Sequence, residues 1–129
     1  LLLRGRTMSV NNYTLHPNII VEKGWGHEQW ICNNEKYCGK ILFFNPKKKC
    51  SIHYHAIKDE VLFILENDIE MLYGWGGEEL KSIILKEGMS FHIPTGLRHQ
   101  MIAGENGAKI IEFSTHHEDS DSIRLEKGD

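Results

Sequence analysis

Short apolar stretches recur along this chain of 129 residues, and most are rich in β-branched and aromatic residues, which favour β-strands. Turn-forming residues separate them, as at Asn33-Asn34, Asn45-Pro46 and Asn67-Asp68. No amphipathic helix of ordinary length is visible. Because many short strands at near-regular spacing indicate a sandwich or barrel, we predict an all-β fold. The expected strands cover residues 18–21, 28–32, 39–44, 69–73, 80–85 and 109–113, with others around the histidines described below.

The length suits one domain that can bury a core of its own. We expect that domain to cover residues 11–129, after a disordered tag or leader remnant over residues 1–10 with Met8 as the natural start. The chain has three cysteines, an odd number without the CxxC spacing of structural zinc sites. Reduced thiols in a cytoplasmic protein explain this usage most simply.

Charge and hydropathy exclude two classes of partner. The formal net charge is −3, which argues against general nucleic-acid binding. No apolar stretch is long enough to span a bilayer. The expected partner is a small molecule.

Three histidines and one carboxylate form a candidate metal site. His53 and His55 are two apart in a strand-like segment, so their side chains share a face. Glu60 opens the next apolar run, where the intervening turn could fold it back beside them. His99 comes from a distant segment, after a bend that contains Pro and Gly. This donor set suits zinc, iron, nickel or manganese, and ligand type alone does not choose among them.

These residues resemble the two motifs of the cupin superfamily, G(x)5HxH(x)3-4E(x)6G and G(x)5PxG(x)2H(x)3N. The first motif matches at His53, His55 and Glu60, and the second at Gly88, Pro94, Gly96 and His99. The resemblance implies a single-domain cupin barrel, that is, a jelly roll or double-stranded β-helix, with one divalent metal ion. It also implies a homodimer.

Two glycine positions of the first cupin motif hold other residues, Lys47 and Asn67. Asn67 precedes Asp68 in an apparent hairpin turn, and asparagine tolerates positive φ well. Lys47 follows Pro46 in a turn that we expect to need no positive φ.

Two further segments are similar to the cupin domain of type II mannose-6-phosphate isomerases. Residues 22–28, EKGWGHE, resemble that family's (R/K)PWGxxE opening, and residues 118–124 resemble its acidic segment ending in arginine. This likeness implies a role in carbohydrate metabolism, the aldose–ketose isomerisation of a phosphorylated hexose. The implied proton carriers are Glu28 and His92, with His27 as another candidate. The implied phosphate ligand is Arg124, with Lys58 or Arg98 assisting.

Other functions stay open on the same fold. A small non-haem metal oxygenase or lyase would use the same ligands, and a non-catalytic sugar-binding cupin would use the metal only to hold its ligand. His116 and His117 are interpreted as a polar pair leading into the tail.

Overall fold

The protein is described by a computed structural model, which covers residues 8–10, 13–15 and 17–129. Residues 1–7, most of the expected leader, lie outside the described residues. The strands are β1 (Met8–Val10), β2 (Tyr13–Leu15), β3 (Ile19–Lys23), β4 (Gly26–Asn33), β5 (Cys38–Phe44), β6 (Ile52–His55), β7 (Glu60–Glu66), β8 (Ile69–Gly74), β9 (Lys81–Leu85), β10 (Ser90–Ile93), β11 (Arg98–Ala103), β12 (Ala108–Ser114) and β13 (Ser122–Glu126).

These strands form two large antiparallel sheets, which confirms the all-β prediction. One sheet has six strands in the order β10-β7-β12-β5-β4-β3, and the other has five in the order β13-β6-β11-β8-β9. The strands β1 and β2 pair separately with each other. A 3-10 turn, Asp119–Asp121, precedes β13. In the described part of the chain, no helix is long and apolar enough to cross a membrane.

One cluster of buried side chains joins the two sheets. Leu62, Ile64 and Ile110 from the six-stranded sheet are fully buried in it, as is Met71 from the five-stranded sheet. Each such side chain contributes about 1.5–3 kcal/mol when it is removed from water. The alternation of strand residues produces this inner face, because successive side chains point to opposite sides of a sheet.

The inner face changes from apolar to polar along the strands of the six-stranded sheet. In β5, for example, Leu42 and Phe44 pack in the apolar cluster, whereas Lys40 is buried on the same face two residues earlier. Glu60 and Glu112 are likewise buried at the polar end. Burying a charge is costly unless the charge is paired. Because buried charged groups cluster at functional sites, this end of the sandwich is the candidate functional region.

The two substituted glycine positions both adopt the left-handed conformation. Asn67 has φ of 66°, as predicted. Lys47 has φ of 63°, so the expectation that its turn needs no positive φ is wrong. The Lys48 amide donates to the Asn45 carbonyl at 3.2 Å across this turn. With Pro46 at its second position and positive φ at its third, it has the character of a type II turn, where glycine is usual.

The strand β13 was not expected from the sequence. It pairs with β6 at the edge of the five-stranded sheet, where Ser122 lies opposite His55 and Arg124 lies opposite His53. Its residues are mostly polar or exposed, so no apolar alternation marks it. The pairing places the C-terminal segment beside the histidines.

Candidate metal centre and its cavity

The three histidines converge from two neighbouring strands. His53 and His55 extend from the same face of β6, as predicted, and His99 of β11 lies directly opposite His53. One ligand nitrogen from each of the three lies within 4.8 Å of the others. Such a cluster is close enough for one metal ion to contact all three imidazoles.

Glu60 reaches the same point from the opposite sheet. It is the first residue of β7, and its Oε2 atom lies 3.0 Å from His55 Nε2 and 3.9 Å from His99 Nε2. The site therefore bridges the two sheets, with imidazoles from one and a carboxylate from the other.

Backbone carbonyls fix the orientation of two of the imidazoles. His53 Nδ1 lies 2.9 Å from the Ser51 carbonyl, and His99 Nδ1 lies 2.9 Å from the Leu97 carbonyl. A carbonyl oxygen only accepts, so Nδ1 carries the proton in both rings and Nε2 keeps its lone pair. Hydrogen bonds of this kind hold metal-binding histidines in place in other proteins.

The unpaired atoms at this point fit a bound cation. Glu60 Oε2 and His99 Nε2 are buried, and neither accepts or donates a hydrogen bond in the described part of the chain, since the 3.0 Å contact of Oε2 with His55 Nε2 lacks hydrogen-bond geometry. A buried polar group without a partner costs about 1–3 kcal/mol. A divalent metal ion would satisfy both atoms at once, and three histidines with one glutamate are suitable ligands for zinc, iron, manganese or nickel.

The protonation states also suit metal binding. Burial, reinforced by the neighbouring His99, lowers the pKa of His53 to about 3, and burial lowers the pKa of His99 as well. Burial opposes ionisation of Glu60, but its contacts with His55, His99 and Lys58 outweigh this and hold its pKa below the usual range. His53 and His99 are thus neutral imidazoles and Glu60 is an ionised carboxylate, the forms that bind metals.

A cavity of about 510 Å³ opens beside the candidate ligands. Its volume falls within the range of small-molecule sites. His53, His55 and Glu60 line one part of it. The charged residues and the one further histidine of the remaining wall are Lys23, Glu28, Lys40, Lys58, Glu112, His117, Asp119, Arg124, Glu126, Lys127 and Asp129.

Lys58 connects the candidate ligands to this wall. Its buried ammonium lies 4.0 Å from Glu60 Oε2 and donates to Glu112 Oε2 at 3.0 Å and to His117 Nδ1 at 3.1 Å. Burial disfavours the charge, but the Glu112 and Glu60 carboxylates outweigh burial and raise the pKa of Lys58. A fixed positive charge therefore stands next to the candidate metal site.

Glu28 lies on the same cavity wall, held by two donors. Trp30 Nε1 donates to its Oε1 atom at 2.8 Å, and Lys40 Nζ donates to the same atom at 3.3 Å. Burial opposes ionisation, yet Lys40, Trp30 and Lys23 together lower the pKa of Glu28. The carboxylate is ionised and borders the cavity.

The same fold recurs in solved structures. CapF, a capsular polysaccharide assembling protein from Staphylococcus aureus, matches with a TM-score of 0.76 at 15% identity over 87% of this chain and 33% of CapF. Oxalate decarboxylase from Bacillus subtilis matches with a TM-score of 0.74 at 15% identity over 82% of this chain and 29% of the decarboxylase. The chain has the cupin fold. It spans about a third of the length of those two cupins. No protein-family model and no curated protein sequence matches it.

The cupin barrel brings two of the three suggested catalytic residues to the cavity. Glu28 and Arg124 line it. His92 does not: its side chain is 58% exposed and contacts Asp59 at 2.8 Å. It lies opposite Val61, between the positions of the buried Glu60 and Leu62, so it points out of the barrel.

Of the additional candidates from the sequence, one lies in the cavity and two lie outside it. Lys58 lies beside the candidate metal site, whereas Arg98 donates to the carbonyls of Trp75 and Glu78 and does not line the cavity. His27 stacks on Phe43 with ring centroids 4.4 Å apart and does not line the cavity either.

Three residues that bond to Glu28 or Lys58 in the cavity were not identified from the sequence: Lys40, Glu112 and His117. A signal was present for the first two, since each is a charged residue at an inward position of an otherwise apolar strand face. For His117 no such signal exists. It was interpreted as a tail residue, but its Nδ1 atom accepts from Lys58 and its Nε2 atom donates to Asp119 at 2.9 Å.

Proposed function

We propose that this cupin is a metal-dependent isomerase that interconverts the aldose and ketose forms of a sugar phosphate such as mannose 6-phosphate. The observation that carries the proposal is the presence of three groups in one cavity: the candidate metal ligands, the buried Lys58 ammonium and the ionised Glu28 carboxylate. Isomerisation needs a polarised carbonyl, a donor to its oxygen and a base, and these groups supply all three.

His53, His55, Glu60 and His99 would hold the ion. When bound, a divalent metal supplies Lewis-acid polarisation of the substrate oxygens at C1 and C2. Lys58 lies next to Glu60, and we assign to it the hydrogen bond to a substrate oxygen. Two of its three N–H groups go to Glu112 and His117, which leaves one for a substrate oxygen.

Glu28 is the residue to which we assign the carbon-bound proton. In the aldose-to-ketose direction its carboxylate accepts the proton from C2 and returns it to C1, while the hydroxyl proton passes from the oxygen on C2 to the oxygen on C1. No atom is gained or lost in this sequence. The ionised state of Glu28 supports the assignment, because only the carboxylate form accepts a proton.

Arg124 is the residue that we assign to the phosphate. It lies opposite His53 on the neighbouring edge strand, so the two side chains share a face, and it is exposed at the cavity wall. A guanidinium group binds phosphate oxygens with two parallel hydrogen bonds. An exposed position suits a phosphate, which is costly to remove from water.

Turnover of mannose 6-phosphate by metal-loaded protein tests the proposal. Glu28→Gln should lower kcat by about 10²–10⁴-fold, because it removes the base with little change in shape. His92→Gln is the matched control and should retain activity, since His92 lies outside the cavity. Metal-loaded protein without sugar turnover, or a Glu28→Gln variant with full activity, would contradict the proposal.

A metal-dependent lyase or oxygenase that acts on a small carboxylate is the second candidate. The observation that favours it is that two of the cavity's positively charged groups are buried: Lys40 and Lys58 are only 1% and 3% exposed, whereas Arg124 is at the surface. Two buried ammonium groups suit a small anion that enters completely. Oxygen uptake and loss of oxalate by the iron- or manganese-loaded protein would support this candidate in place of the isomerase.

A further inference from the structure

Glu28 has two oxygen atoms in unlike surroundings. Its Oε1 atom accepts both the Trp30 indole N–H and the Lys40 ammonium. Its Oε2 atom has no hydrogen-bond partner in the described part of the chain, and the side chain keeps 13% of its surface exposed beside the cavity. The two donors therefore select which oxygen is free.

The sheet holds both donors rigidly. Trp30 is two residues after Glu28 on β4, so it shares the face of Glu28. Lys40 lies directly opposite Trp30 on β5. Its ammonium stands 4.4 Å from the centre of the Trp30 ring, a cation–π distance. Each donor thus contacts the other as well as the carboxylate, and we call Lys40 and Trp30 the Glu28 clamp.

Removing the Lys40 and Glu28 charges from water costs free energy, so the arrangement points to a role other than stability. Lys40 is 1% exposed in the middle of a strand, a position where lysine is rare. Replacing a buried ion pair by apolar residues is often neutral or stabilising, so the pair is weak evidence for a role in stability alone.

We propose that Lys40 and Trp30 are positioning residues that hold Glu28 through Oε1 and present Oε2 to the cavity as the proton-accepting atom. This inference rests on the proposed function for the identity of the reaction, and on the clamp geometry for the roles of the two residues. Neither residue takes the proton itself. Their effect is to keep the carboxylate ionised and in one orientation.

The other titratable groups near Glu28 leave Lys40 as its principal charged partner. Lys23 on β3 shares the cavity wall and is a weaker cationic neighbour. Glu112 lies beside Lys40 on β12, and His117 contacts the Trp30 ring edge-on at 5.1 Å between ring centroids. Asp119, Arg124, Glu126, Lys127 and Asp129 line the same cavity. Of these groups, only Lys40 bonds directly to the carboxylate.

The first test measures the clamp without substrate. Carbon-13 NMR of the glutamate carboxyl groups in zinc-loaded protein gives the Glu28 titration, with the resonance assigned by its loss in Glu28→Gln. Lys40→Met should move the titration to higher pH by about 1–3 units, because the opposite charge is removed and burial then dominates. Lys109→Met is the control: it removes a lysine that pairs with Glu66 outside the cavity, and should leave the Glu28 titration unchanged.

Trp30→Phe provides an independent variant if Lys40→Met does not fold. It keeps an aromatic ring but removes the N–H donor, so the Glu28 titration should again move upward, by less than in Lys40→Met. An unchanged titration in both folded variants, or in Trp30→Phe where Lys40→Met does not fold, would overturn the clamp.

The second test asks whether the clamp serves the reaction. With mannose 6-phosphate, Trp30→Phe and Lys40→Met should lower kcat by about tenfold or more with little change in KM, and should move the acidic limb of the pH profile upward. A shifted Glu28 titration with unchanged kcat would overturn the positioning role. Titration shifts in the two variants, together with wild-type protein that turns over no sugar, would refute the proposed isomerase and leave the clamp itself established.

Discussion

His99 lies directly opposite His53 across the β6–β11 pair, and the centres of the two imidazole rings are 4.3 Å apart. Residues opposite each other on antiparallel strands share a face, so this register turns two histidines from distant segments toward one point. Glu60 completes the site from the other sheet. The candidate metal centre is therefore also a link between the two halves of the barrel.

Metal removal should lower thermal stability, because an ion held by both sheets binds only the folded state. At a free metal concentration about 1,000 times the dissociation constant, binding adds about 4 kcal/mol. Because 1 kcal/mol corresponds to about 3–5 °C in a domain of this size, we expect a chelator to lower the Tm of wild-type protein by about 10–20 °C. The matched control is His99→Gln, whose Tm should not respond to the chelator. A wild-type Tm that is indifferent to chelation would contradict the bridging role.

The turn at Lys47 offers a stabilising substitution. Lys47 adopts φ of 63°, a conformation that glycine adopts without strain. We expect Lys47→Gly to raise the free energy of unfolding by about 0.5–1 kcal/mol, because the relief of strain exceeds the added chain entropy. Urea unfolding measures this change. Lys48→Gly, at a neighbouring position without positive φ, should not stabilise, and equal stabilisation by both would rule out backbone strain as the cause.

A close backbone approach fixes the segment after β13. A Cβ atom at Gly128 would collide with backbone atoms of Cys50 and Ser51, whereas one at Gly76 would meet nothing within 4 Å. Gly128→Ala should therefore destabilise the protein by about 1–3 kcal/mol, because the segment that lines the cavity must shift. Thermal unfolding compares it with Gly76→Ala, which should stay near wild type. Similar values for the two variants would show that the segment does not pack as described.

Much of the centre could be predicted from the sequence, because strand residues alternate with a period of two. That rule alone places His53 and His55 on one face. It does not tell which face of a given strand points inward, so it could not show that the register of His92 on β10, opposite Val61, turns this suggested proton carrier outward. Strand β13 could not be predicted from an apolar pattern, because its position depends on its pairing with β6.

The buried network beyond the ligands should make stability depend on pH. Burial, with Lys40 and Lys58 nearby, lowers the pKa of His117 in the folded protein. As pH falls below about 6.5, the unfolded chain binds a proton at this residue before the folded chain does, so the free energy of unfolding decreases. One such group contributes at most about 1.4 kcal/mol per pH unit.

Urea unfolding at about pH 7 and about pH 5.5 tests this dependence. His117→Asn cannot take up the proton and keeps an oxygen to accept from Lys58, so its stability should fall less over that interval than that of wild type. His116→Asn is the control, since His116 is more exposed and contacts Glu118. An equal loss of stability in wild type and His117→Asn would contradict the assignment.

The most direct measurement is the metal content of untagged protein by mass spectrometry, before and after reloading with zinc, iron, manganese or nickel. We expect about one divalent ion per chain, because the three clustered histidines and the adjacent Glu60 would form one site. His55→Ala should lose the ion, since it removes a ligand from the centre. Wild-type protein that stays free of metal after reloading, or His55→Ala with undiminished content, would contradict the metal centre on which the proposed function depends.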